Sequence, residues 1–142
     1  MARAMKWAAA VSLLLTAGFI GLHLAEAGWA ISWAITFGTC FYHFAMRLTV
    51  GHLLNQLMDN KADYTKSWYQ LSAFEIPIYK ALRVKKWKAN MPTYDPAAFD
   101  PKQHSWEEIA QATCQAELVH EIIILLSFLP LLAAIPFGAF PV

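Results

Sequence analysis

Residues 111–130 read QATCQAELVHEIIILLSFLP, polar at first and, Ser127 apart, apolar after Glu121. Glu117, His120 and Glu121 stand at the boundary. On a helix, positions i, i+3 and i+4 share a face, so all three ionisable groups point the same way where the chain enters a membrane. Carboxylates and imidazoles at that depth are costly unless they are paired or face a wet cavity. The spacing therefore marks this boundary as the candidate site.

Composition points the same way. The chain has 142 residues, 58% hydrophobic and 15% charged, where soluble domains carry roughly 25% charge; mean hydropathy is +0.37. Six Trp, five Tyr and nine Phe suit membrane interfaces. A net charge of +1 gives no electrostatic case for nucleic acid. Cys40 and Cys114 are too few for a disulfide scaffold and are read as reduced. No phosphate-binding glycine loop, CxxC pair, Ser-His-Asp order or internal repeat is present.

Arg3 and Lys6 precede an apolar run over residues 7–25, about the 20 residues a membrane helix needs. A secretory signal with a small-residue Ala25-Glu26-Ala27 site is the rival to this retained helix. Residues 26–28 are short enough only for a tight turn into a second span over 28–46, with Trp29 and Trp33 as interface anchors. Thr36, Cys40, His43 and Arg47 recur at helical spacing and form a polar stripe; the bland reading is a snorkelling Arg47 and a hydrogen-bonded core histidine.

Leu53, Leu54, Leu57 and Met58 continue the helical period, and Asp59-Asn60-Lys61 breaks it. Residues 73–89, AFEIPIYKALRVKKWKA, read as a helix in the head-group plane, with a merely solvated basic face the reading for most of Lys80, Lys85 and Lys86. Residues 90–103 form a Pro- and Asp-rich loop. Ser105 is an N-cap with Glu107 and Glu108 in the first turn, and that helix runs into the membrane as a third span over 119–142, kinked by Pro130, Pro136 and Pro141. The expected fold is an all-α polytopic membrane protein of one domain, residues 1–142. Two N-terminal helices form a hairpin, amphipathic interfacial helices occupy 47–118, and a Pro-kinked membrane helix closes the chain. Nine of the eleven Lys and Arg lie between Arg47 and Lys102, so the N-terminus and 47–118 are expected to be cytoplasmic.

Two segments resemble the glycosyl-4,4′-diaponeurosporenoate acyltransferase family of small bacterial membrane enzymes. In FEIPIYKALRVKKWKANMP, residues 74–92, Tyr79, Arg83, Trp87, Lys88 and Pro92 resemble its Y…(K/R)xxxWKxxxP element. ATCQAELVHEIIILLSFLP, residues 112–130, is similar to its ET-(K/R)-AE-(L/I)-x-H element and the apolar helix after it. Ala112 stands where that pattern tends to Glu, and Gln115 where it tends to a base. The family pattern also continues into a basic tail beyond residue 142.

The resemblance implies that a fatty acyl group moves from a thioester or lipid donor, acting as co-substrate without a resident cofactor or metal, to a hydroxyl of a glycolipid or other lipid-linked acceptor. In that chemistry His120 is the general base, Glu117 orients it, and Glu121 completes the catalytic face. Arg83, Trp87 and Lys88 hold the donor head group, with His43 and Arg47 approaching from the second helix. Two rivals stand beside it. One is a non-catalytic lipid-binding or assembly subunit, a homo-oligomer or a partner completing the site, with Glu117 and His120 as an interhelical polar contact. The other is a metal-dependent membrane oxidase using the ExxH at 117–120, a unit that di-iron proteins use twice and that occurs here once.

Overall fold

The computed structural model describes residues 2–84, 86 and 97–134, which form helices, turns and loops with no strand. In chain order the helices are α1 (Ala2–Leu24), α2 (Ala30–Met58), α3 (Glu75–Ala81), α4 (Trp106–Ser127) and α5 (Leu129–Ala134), with 3-10 turns at Ser67–Tyr69 and Ala97–Phe99. They fall into two compact units. One holds Met1–Leu57 and Leu118–Val142, the other Met58–Glu117.

In the first unit α1 and α2 pack as a hairpin. The backbone closes α1 with paired bonds: Ala27 N–H donates to the Leu22 carbonyl and Glu26 N–H to that of His23, each at 3.1 Å. This two-bond helix end places its turning residue in the left-handed region, a position glycine usually fills. Here it is Glu26, at φ 69°. Glu26→Gly is therefore expected to stabilise the hairpin by about 1 kcal/mol, read as a rise in thermal midpoint in detergent.

Close approach of the two helices rests on small residues. Ala30 and Ala34 are buried on α2, and Gly38 follows at the same four-residue step. A Cβ added at Gly38 would stand 3.6 Å from the Thr16 methyl of α1. Phe19 of α1 stacks on Phe37 at 5.7 Å and on Trp33 at 6.0 Å, and meets Trp29 edge-on at 6.2 Å. The two tryptophans expected as interface anchors thus also build the hairpin contact. Small-residue packing with aromatic cover suits lipid, where apolar area alone does not drive helices together.

α2 does not stop near residue 46. It runs on through Arg47 and His52 to Met58, because residues 48–58 keep strong helix formers at helical spacing. It ends where Asp59 and Asn60 both turn left-handed, at φ 49° and 56°.

Two helical stretches among the described residues, Arg3–Leu24 and Trp106–Leu132, are long and apolar enough to cross a membrane. Many of their large side chains, including Trp7, Leu14, Ile124 and Leu125, are exposed, and no large side chain in the described residues is fully buried. Water does not tolerate so much apolar surface on a monomer; acyl chains do. The hydroxyls agree. Thr16, Thr36, Thr39 and Thr49 in the first two helices, and Thr113 and Ser127 in α4, each donate to the carbonyl four residues back, at 2.7–2.9 Å. Such bonds hide a polar group inside its own helix. The all-α chain is a membrane protein.

The second unit holds α3, both 3-10 turns and the first half of α4, joined by turns. Thr65 donates its N–H and its hydroxyl to Asp63 Oδ1 at 3.1 and 2.5 Å, which holds the Asp63 carboxyl below its ordinary value. Residues 73–89 do not form one helix. α3 covers only Glu75–Ala81, and Arg83 turns left-handed at φ 50°.

Candidate functional site

α4 begins at a reciprocal cap. Glu108 N–H donates to Ser105 Oγ at 3.3 Å, while Ser105 N–H donates to Glu108 Oε2 at 2.7 Å. This is the capping box, so the S-W-E-E sequence at 105–108 fixes where the helix starts. From there the helix is unbroken to Ser127. Glu117, His120 and Glu121 accordingly lie on one face, within a turn of each other. Glu117 and His120 are exposed and Glu121 is half-buried. Glu117 lies three residues before His120 and one helical turn before Glu121; an imidazole on such a face can accept a proton, and a carboxylate one turn away can stabilise the resulting cation.

α2 contributes His43 and Arg47, one turn apart; His43 is half-buried and Arg47 exposed. The His43 ring meets that of Tyr42 edge-on at 5.4 Å. Tyr42 in turn donates its hydroxyl to the Leu126 carbonyl at 2.7 Å, which joins α2 to the far end of α4 inside the first unit. The reason lies four residues on. In a continuous helix the Leu126 carbonyl would accept from residue 130, and Pro130 has no N–H. The helix breaks at Phe128 and Tyr42 supplies a donor instead. The sequence pattern gives Tyr42 no such role.

Gln115 is a second residue whose role the sequence pattern does not show. It is 4% exposed, and its Oε1 accepts the Asn60 N–H at 2.8 Å. The glutamine at a position where the family pattern favours a base thus holds the left-handed turn after α2. Gln115→Leu leaves that N–H without its acceptor and is expected to cost about 1–3 kcal/mol, measured by denaturant midpoint.

Arg83 belongs to the second unit, exposed at the left-handed corner after α3. Trp87 and Lys88 lie outside the described residues. Among the described residues no group of three or more His, Cys, Asp or Glu is placed to share a metal ion. Cys40 is exposed and Cys114 buried, both as free thiols.

The profile of the glycosyl-4,4′-diaponeurosporenoate acyltransferases matches residues 65–141, more than half of the chain. The chain belongs to this family. The matched region contains α3, the Arg83 corner and the whole of α4 with its ionisable face. Membership makes acyl transfer the general activity, and with the two membrane-length helices it places that activity in a membrane. No curated protein and no solved structure matches the chain.

Proposed function

We propose that this acyltransferase moves a fatty acyl group to a hydroxyl of a glycolipid or other lipid-linked acceptor, with His120 as general base. The observation that carries the reading is the Glu117–His120–Glu121 face of α4 inside the matched region. His120 takes the acceptor hydroxyl proton as that oxygen attacks the acyl carbonyl. The carbonyl carbon's bond to the donor sulfur or oxygen then breaks, and the imidazolium returns the proton to the departing group. Glu117 orients the imidazole and offsets its charge, and Glu121 adds a second carboxylate on the same face. His43, Arg47 and Arg83, with Trp87 and Lys88, bind donor or acceptor head groups, the arginines through paired contacts to phosphate. The acyl donor is a co-substrate, so no resident cofactor takes part.

We further propose a multi-pass arrangement with the N-terminus and residues 47–118 on the cytoplasmic side, from the weight of Lys and Arg there.

The test compares, by lipid mass spectrometry, cells making the unaltered chain with cells making His120→Ala. An acylated glycolipid present only with the unaltered chain supports the reading. Identical lipids, with both proteins in the membrane, sink it and favour a lipid-binding subunit.

A further inference from the structure

Every residue from 71 to 83 is exposed. That stretch is not polar. Leu71 is 64% exposed, Phe74 75%, Ile78 41% and Tyr79 48%; Phe74, the residue just before α3, and Ile78 in its middle stand one turn apart. Basic residues follow immediately. Residues 71–86 contain Lys80, Arg83, Lys85 and Lys86 against the single acid Glu75. The corner at Arg83 is fixed by backbone bonds: Arg83 N–H donates to Lys80 at 3.2 Å, and Lys86 N–H to the Arg83 carbonyl at 2.9 Å.

We infer that residues 71–84, together with Lys86, form a docking element for an anionic bilayer surface, with Leu71, Phe74 and Ile78 entering the acyl boundary and Lys80 and Lys86 meeting lipid phosphates. Charge selects this occupant. A protein groove would have to neutralise three excess positive charges in a short segment, whereas an anionic leaflet offers that field over its whole area. Apolar and basic side chains side by side are what interfacial segments use. Because the same chain carries membrane-length helices, a bilayer is always within reach, and even weak docking is sustained by effective concentration. Lys80 and Lys86, which by sequence suited a merely solvated face, thereby gain a ligand.

The test uses the whole chain in lipid nanodiscs, with Cys40 and Cys114 replaced by Ala. A polarity-sensitive fluorophore is attached at Phe74→Cys, and in a second protein at Ile78→Cys. With phosphatidylglycerol in the disc, both labels are expected to emit to the blue and to be quenched by brominated acyl chains. In phosphatidylcholine alone, or at about 1 M salt where the screening length shrinks to about 3 Å, both should return toward water-like emission. Lys80→Glu together with Lys86→Glu should lower the docked-to-free ratio by at least about five-fold per lysine, without altering a buried residue. Water-like emission in both lipids would overturn the inference. So would blue emission that brominated chains do not quench, because a protein surface would then be the cover. Neither readout depends on turnover, so the result stands apart from the fate of the acyl-transfer reading.

Discussion

His120→Ala is expected to lower acyl transfer by about 10²–10⁴-fold, the range general-base catalysis contributes, while the protein still accumulates in the membrane. Folding should survive because His120 is exposed on α4, so its removal leaves no cavity of the kind that destabilises cores. Glu117→Gln separates orientation from bulk: it keeps the side chain's size and removes its charge. If the carboxylate acts through the imidazole, Glu117→Gln is slow in an otherwise unaltered chain, yet adds almost nothing on top of His120→Ala. Residues that work as a unit show this non-additivity. Two independent losses that multiply would separate Glu117 from His120. Undiminished turnover in His120→Ala would take the base role away from it altogether.

Tyr42→Phe is expected to cost about 1–3 kcal/mol, a large effect for one oxygen atom. Its hydroxyl answers a carbonyl whose helical donor Pro130 has removed. In a bilayer no water stands by to take over, so deletion leaves an acceptor without that partner. The cause can be isolated by supplying the missing N–H. Pro130→Ala lets residue 130 donate to Leu126, and in that background Tyr42→Phe should cost only a few tenths of a kcal/mol. The difference is the coupling between the two sites, read from thermal midpoints of the four proteins in one detergent. Equal costs in both backgrounds would show that Tyr42 stabilises the protein by packing alone. Because the Tyr42 ring meets His43 at 5.4 Å, the same series also reports whether His43 depends on this anchor.

Short-range chemistry determined a good part of this protein. Ser105 and Glu108 specify where α4 begins because a capping box needs only its own four residues. The i, i+3, i+4 spacing then puts Glu117, His120 and Glu121 on one face without help from any other element. Asp59-Asn60 marks the end of α2, since those side chains tolerate the left-handed region, and the lack of charge over residues 7–25 commits α1 to an apolar surrounding. Three features were invisible. Arginine is a strong helix former, so nothing in ALRVKK announces the corner at Arg83, and the expected helix over 73–89 came out interrupted. Pro130 announces a kink, but not what replaces its missing N–H. That answer requires α2 to lie beside α4, and it selects Tyr42. Gln115 is the same case: a buried acceptor is meaningful only once the turn after α2 has been brought to it. Local rules therefore settled where α4 begins and that α1 and α4 carry membrane-length apolar runs, but not how far α2 extends or where α3 stops. Tertiary packing decided which side chains answer the backbone groups that those local breaks leave open, because a hydrogen bond between residues 84 or 55 positions apart leaves no trace in periodicity or propensity.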